Sequence, residues 1–228
     1  MDINGLLLVD KPKGMTSHDV IDILRAKLNI RKIGHAGTLD PEATGLLLVL
    51  IDKSATKKAS SFASLDKTYD IRLTLGIKTD TADHTGKIIS KNEVLNFSNE
   101  KIKQVIERFK GETQQVPPMM SAKKIGGKKL YALARKGISI ERKPQLIKIT
   151  GIDIKSIDLP DIYFSILCSK GTYVRTLCED IGEVLGCGAH MNGLRRLGVG
   201  GYKVDNAIKV EEIKECAIAD INSRIIKI

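Results

Sequence analysis

The apolar positions along the chain change period several times, and each change marks an element. Leu6 to Val9 is a short continuous apolar run ending in the turn Lys11-Pro12-Lys13-Gly14, as expected of a buried strand. Thr16 to Asp19 fits a capping box, and behind it Val20, Ile21, Leu24 and Leu28 recur on one helical face. Leu46 to Ile51 shows no polar alternation, which predicts a strand buried on both faces. Tyr69, Ile71, Leu73 and Leu75 alternate with polar residues, the pattern of a half-buried antiparallel strand. Lys87 to Ser90 is its expected partner across the polar loop Thr79 to Gly86.

Ser98 to Lys110 reads as an amphipathic helix with Ile102, Val105, Ile106 and Phe109 inward and Gly111 as its stop. Gln145 to Asp158 and Asp161 to Cys168 are two further strands. Thr172 to Leu185 is a helix with Val174, Leu177, Cys178, Ile181 and Leu185 inward. The tail from Val204 ends with a helix over Glu211 to Ala217 and a short strand. Thr113 to Pro144 differs in character: it is basic, holds Pro117-Pro118 and Gly126-Gly127, and has one short helix near Lys129 to Lys136. It is expected to be a projecting excursion. Strand runs mixed with segregated helices predict an α+β fold with a mixed, mainly antiparallel sheet. With no repeat, low-complexity tract or long Ser/Gly linker, residues 1–228 are expected to form a single domain.

Charge adds a partner. The 37 basic and 27 acidic residues leave a net +10, which favours a polyanion. A membrane is the competing polyanionic surface, but no lipidation signal or long basic amphipathic helix is visible. The longest pure apolar run is far too short to span a bilayer, and Met1-Asp2-Ile3-Asn4 is not a secretory signal, so the expected compartment is the cytoplasm. Cys168, Cys178, Cys187 and Cys216 form no CxxC pair and read as small buried residues in a reducing compartment, so no metal site is expected. Aromatics are only 4%, so nucleic acid would be held by a few specific tyrosines rather than by many stacked rings.

The densest chemical signal is the run Gly34-His35-Ala36-Gly37-Thr38-Leu39-Asp40-Pro41-Glu42-Ala43-Thr44-Gly45. Its glycines allow sharp turns and close approach to a ligand, and Pro41 biases Asp40 away from helix. One acid on a rigid loop beside a buried strand suits a nucleophile. The bland alternative is an Asp that caps a turn.

This run resembles the catalytic loop of the TruB-type tRNA pseudouridine synthases, and five other segments follow in that family's order. They are Asp10-Lys11-Pro12-Lys13-Gly14-Met15-Thr16-Ser17; Lys67-Thr68-Tyr69 with Gly76-Ile77-Lys78-Thr79-Asp80-Thr81-Ala82-Asp83; and Val116-Pro117-Pro118-Met119 with Ser121-Ala122 and Gly127-Lys128-Lys129-Leu130-Tyr131. The last two are Cys168-Ser169-Lys170-Gly171-Thr172-Tyr173-Val174-Arg175-Thr176, and Gly188-Ala189-His190 with Leu194-Arg195-Arg196-Leu197. The resemblance implies the pseudouridine-synthase fold with a central catalytic cleft. It implies isomerisation of the uridine numbered 55 in tRNA convention, in the T loop, with no cofactor.

Within the resemblance Asp40 is the nucleophile. A carboxylate that stays ionised while partly desolvated needs a fixed cation, and Arg175 is the candidate. Tyr69 is implied to stack on the flipped uracil and to assist proton movement from C5; unaided, it would read as a core aromatic. Tyr173 and Leu194 are implied to line the substrate pocket, and His35 to help hold the loop opened by base flipping. Lys128 and Lys129, with the other cations of Thr113 to Pro144, are implied to grip phosphates; a solvated basic loop is the plain alternative. Met120 departs from the family, which usually has an aromatic there. Few residues follow Leu197, so no separate carboxy-terminal RNA-binding module is expected, and the T stem-loop should be the main partner. A monomer acting without guide RNA is expected. The alternative from another class is a non-catalytic RNA-binding or tRNA-folding protein on the same scaffold. A guide-dependent synthase of ribosomal RNA ranks below both.

Overall fold

The structure, a computed structural model, describes residues 3–94, 97–121, 123–134 and 136–228; at 124, 125, 128 and 129 it describes the backbone alone. The chain divides into two compact units, residues 1–69 with 194–228, and residues 70–193. In chain order the first unit holds β1 (Gly5–Lys11), α1 (Ser17–Leu28), β2 (Ile33–Ala36), β3 (Thr44–Ile51), α2 (Asp52–Thr56), α3 (Ala59–Ala63) and the start of β4 (Lys67–Leu75). The second holds the rest of β4, then β5 (Ile77–Thr79), β6 (Ile88–Lys91), α4 (Asn99–Glu107), β7 (Gly111–Gln115), β8 (Lys124–Ile125), β9 (Lys128–Lys129) and α5 (Leu130–Ala134). It continues with β10 (Gln145–Asp158), β11 (Asp161–Cys168), α6 (Val174–Leu185) and the first half of β12 (Ala189–Val199). The chain returns to the first unit for β13 (Tyr202–Lys203), β14 (Ile208–Lys209), α7 (Val210–Glu215) and α8 (Ile218–Ser223).

In the first unit β1 and β3 pair antiparallel with Val9 opposite Leu47, and β2 pairs with the other edge of the same strand region, His35 opposite Val49. β14 joins β1 in parallel, and β12 joins β3 in parallel. The unbroken apolar run of β3 is explained by two cores. Leu47, Val49 and Ile51 pack with Val20, Ile21, Leu24, Ile208 and Ile213. Leu46, Leu48 and Leu50 pack with Leu6, Leu8, Ala36, Val199 and Val204 on the opposite face. Each such side chain contributes roughly 1.5–3 kcal/mol by leaving water. Helix α1 has the expected capping box, with Asp19 N–H donating to Thr16 Oγ1 at 3.1 Å and Thr16 N–H to Asp19 Oδ2 at 2.8 Å. Asn29 ends the helix in the left-handed region, at φ +52°.

In the second unit β4, β11, β10 and β7 lie side by side, with β10 antiparallel to both β11 and β7. Ile71, Leu73 and Leu75 are buried, as the alternation predicts. β6 pairs with β5 rather than with β4, which corrects the expected hairpin. Gly76, at φ +84°, turns the chain away after Leu75, and Leu75 N–H instead donates to Pro160 O at 2.9 Å. α4 stops at Glu107 rather than running to Lys110, and Gly111 opens a strand instead of ending a helix. Thr113 to Gln115 therefore belong to the sheet, with Gln115 opposite Gln145, and the basic segment begins only at Val116. It carries the β8–β9 hairpin and α5, whose Leu130 is buried. α6 buries all five residues expected of it.

Candidate active site

Asp40 lies on the loop that joins β2 to β3. Ala43 N–H donates to Asp40 O at 3.1 Å, closing a turn over Pro41. The loop is tied down residue by residue. Ser17, at the start of α1, donates through Oγ to Leu39 O at 3.1 Å and accepts Leu39 N–H at 2.9 Å. Gly14 N–H donates to Pro41 O at 2.9 Å. Beneath Pro41 the fully buried Lys11 places its three ammonium protons on Met15 O (2.7 Å), Pro12 O (2.9 Å) and Pro41 O (3.1 Å). Burial pushes the Lys11 ammonium down to about 8, opposed by the carboxylates of Asp40 and Glu42, while Arg196 lowers it further. It stays charged at neutral pH.

Arg196, 1% exposed, closes the stems of the loop. Its Nε donates to Leu46 O at 2.7 Å on one side and its Nη2 to Gly37 O at 3.0 Å on the other. The main chain of Arg196 runs beside Gly45, which sits at φ +101°; a Cβ there would collide with the Arg196 backbone. Neighbouring Arg195 forks onto Asp10, at 3.1 Å to Oδ1 and 2.7 Å to Oδ2. His35 is half-buried and its Nδ1 has no hydrogen-bond partner among the described residues. Burial, then the charges of Arg196 and His18, lowers its pKa, so the imidazole is neutral at pH 7. Tyr69 is 8% exposed on β4, and Leu194 is half-buried on β12.

Arg175 lies in the first turn of α6, 7% exposed. Its Nη2 donates to Met120 O at 2.7 Å and its Nη1 to Thr81 O at 3.2 Å; Nη1 also lies 3.8 Å from Asp83 Oδ2. Asp83 is itself fixed, accepting Thr81 Oγ1 at 2.8 Å, Thr85 N–H at 3.0 Å and Thr85 Oγ1 at 2.6 Å. Two backbone bonds, Met191 N–H to Ala82 O and His84 N–H to Met191 O, both 3.0 Å, pin this turn to β12. Tyr173 is the residue before the helix and is half-buried.

Asp40, His35, Tyr69 and Leu194 thus belong to the first unit, Tyr173 and Arg175 to the second. The side chains of Lys128 and Lys129, and Ala122 and Arg135, lie outside the described residues. Lys11, Arg196 and Asp83 are supports that the site expectations did not include. Lys11 carried a signal, a lysine extending an apolar strand. Among the described residues no three His, Cys, Asp or Glu side chains gather as a metal site requires. No helix among them is long and apolar enough to cross a membrane.

Residues 25–174 match the model of the TruB family pseudouridylate synthase N-terminal domain. The chain belongs to the TruB family. Residues 175–224 match the tRNA pseudouridylate synthase B C-terminal domain model. The tRNA pseudouridine synthase B of Alkaliphilus oremlandii is 49% identical over 93% of this chain and 70% of its own length. That of Opitutus terrae is 43% identical over 100% of this chain and 94% of its own. Among solved structures, a Cbf5–Nop10–Gar1 complex matches with TM-score 0.72 and 31% identity, over 91% of this chain and 53% of that one. The fold is the pseudouridine-synthase fold, α+β with a mainly antiparallel sheet. As a TruB-family enzyme the protein is an isomerase of the class that forms pseudouridine in tRNA.

Proposed function

We propose that this TruB-family enzyme isomerises the uridine numbered 55 in the T loop of tRNA, with Asp40 as nucleophile. The observation that carries the reading is the immobilised Asp40 loop. Lys11, Ser17 and Arg196 hold its main chain through Pro41, Leu39, Gly37 and Leu46, which is the preorganisation a nucleophile needs. In the reaction the bond from ribose C1′ to N1 breaks, the ring turns, and C5 bonds to C1′. The C5 proton leaves and N1 gains one, so no electron or group enters or leaves. Asp40 attacks or stabilises the electron-poor centre, and Arg175, a guanidinium that never loses its charge, is its cation. Tyr69 stacks on the extruded uracil and serves the C5 proton. His35, Tyr173 and Leu194 hold the nucleotide and offset the few kcal/mol lost on unstacking. Lys128 and Lys129 take phosphates. The enzyme acts as a monomer, without cofactor or guide RNA.

Purified protein and an unmodified tRNA transcript, with nothing else added, should yield pseudouridine at that single position. Asp40→Asn conserves volume and removes the charge. It should fold, bind tRNA and lose turnover by orders of magnitude. Comparable turnover by the folded variant would remove Asp40 from the chemistry. The T-arm hairpin alone should react about as well as whole tRNA; a deficit beyond ~100-fold would show that contacts outside the T arm carry recognition. Lys128→Ala with Lys129→Ala should weaken binding and reduce the salt slope by roughly 0.7 to 0.9 per lost phosphate contact.

A further inference from the structure

Helix α6 begins without the usual devices. The residue before it, Tyr173, makes no side-chain cap bond, and no acid lies in the first turn. Arg175 instead puts a cation there, against the positive end of the helix dipole. Something outside the helix therefore fixes where it starts. That group is the carboxamide of Gln115, at the end of β7 and 3% exposed. Its Oε1 accepts Tyr173 N–H at 2.8 Å, and its Nε2 donates to Tyr173 O at 3.0 Å. The side chain thus pairs with Tyr173 as a neighbouring strand would, on both main-chain groups. The same Tyr173 O accepts Leu177 N–H at 3.1 Å, the first helical bond of α6. Opposite Gln115 in the sheet, Gln145 donates to Gly171 O at 2.6 Å and accepts Lys123 Nζ at 2.8 Å. Two glutamines from adjacent strand ends therefore grip alternate residues of the segment leading into α6.

We propose that Gln115 is a positioning residue: it sets the placement of Tyr173 and, two residues on, of Arg175 for pseudouridine formation. This rests on the reading of Tyr173 and Arg175 as substrate-facing. The requirement is chemically narrow. The head group must donate and accept at once, at this length, in a buried place. A glutamate accepts Tyr173 N–H but presents a second lone pair to Tyr173 O. A methionine fills the volume and does neither. A neutral glutamic acid, in contrast, carries one O–H donor and one carbonyl acceptor and restores both bonds. Burial favours that neutral form.

The test compares wild type, Gln115→Met and Gln115→Glu in single-turnover conversion of a tRNA transcript at saturating enzyme, from pH 6 to 8.5. Melting curves and amide exchange at 15N-labelled tyrosine accompany the rates. Gln115→Met should slow the chemical step by roughly tenfold to hundredfold at every pH, with tRNA binding changed by less than about threefold. Gln115→Glu should be equally slow at pH 8.5 and should recover toward wild type as pH falls to 6. That rescue, read at pH values where the melting curves show Gln115→Glu fully folded, separates positioning from a merely structural defect. A folded Gln115→Met enzyme at wild-type rate overturns the proposal, as does a Gln115→Glu rate that shows no rescue. Tyr173 exchange then says which premise failed. A Tyr173 amide that exchanges faster in Gln115→Met without loss of rate means the clasp exists but Tyr173 and Arg175 do not serve the chemistry. An amide as protected as in wild type means the clasp itself does not hold. If Gln115→Met does not fold, the pH dependence of Gln115→Glu decides alone.

Discussion

The loop that carries Asp40 and the helix start that carries Arg175 are both fixed by side chains reaching main-chain carbonyls, but the side chains differ in charge. Around the acid neutral Ser17 holds Leu39, and two cations, Lys11 and Arg196, satisfy Pro41, Gly37 and Leu46 and lend positive charge to the surroundings of a carboxylate. Around the arginine the anchor is the neutral Gln115, and the carbonyls of Thr81 and Met120 face the guanidinium. Each segment is held by groups that also suit the charge it presents. A cationic anchor at the start of α6 would add to the helix dipole and to Arg175, and a neutral residue in place of Lys11 would remove positive charge from the surroundings of Asp40.

The largest expected effect separates the segments by the room around their glycines. Gly45→Ala would drive a Cβ into the Arg196 main chain at φ +101° and should destabilise the protein by more than ~4 kcal/mol in urea titrations. Gly186→Ala, at φ +80° past the end of α6 with nothing within 4 Å, should cost only ~1–2 kcal/mol. Equal costs would mean that the Asp40 loop is not braced from Arg196.

The two arginines should then part by readout. Arg196→Met leaves Leu46 O and Gly37 O unpaired and should lower stability by ~2–5 kcal/mol. Arg175→Met likewise leaves Thr81 O and Met120 O unpaired and should, in addition to a stability loss, lower the single-turnover rate of the folded enzyme by ~10²–10³. Arg175→Lys should recover little, because one ammonium does not reproduce a fork onto Thr81 and Met120. If Arg196→Met is inactive at undiminished stability, the division between brace and chemistry is wrong.

Lys11 offers a smaller effect with a definite sign. Its pKa in the fold is about 8 against 10.5 in the unfolded chain, so between those values the unfolded state holds more protons. Stability from this group is present above about 10.5 and is lost as pH falls through about 8. Melting temperature measured across that window should rise more in wild type than in Lys11→Met, and parallel curves would contradict a buried charge there. The smallest effect is at the cap of α1: Thr16→Ala should cost ~1 kcal/mol and leave the rate unchanged, since Ser17 rather than Thr16 touches the loop.

Legibility in the sequence followed the range of the interactions. The capping box of α1, the two-sided burial of β3, the inward face of α6 and the bounds of β10 and β11 all arise from neighbours a few residues apart, and all could be read. β12 could not, because Gly193, Arg195 and Arg196 break its apolar pattern and the carbonyls that satisfy Arg196 come from residues 37 and 46. Gln115 carried no signal at all within a polar stretch; its meaning lies in the Tyr173 backbone, far along the chain. The proposal for Asp40 comes from its loop and the family resemblance together, whereas the loop's supports could be read only in three dimensions.

The first unit is discontinuous, and that has a consequence for the order in which the molecule is made. Residues 70–193 form a unit from one uninterrupted stretch. The apolar cluster behind β3 needs Ile208, Val210, Ile213 and Ile221, and the Asp40 loop needs Arg196. During synthesis from the amino terminus, the uninterrupted stretch is complete at residue 193, just before Arg196 follows to brace the Asp40 loop and well before Ile221 completes the cluster behind β3, so the long-range closures come last. The nascent chain therefore completes the stretch that bears Arg175 first, and the Asp40 loop gains its brace and the core behind it only afterwards.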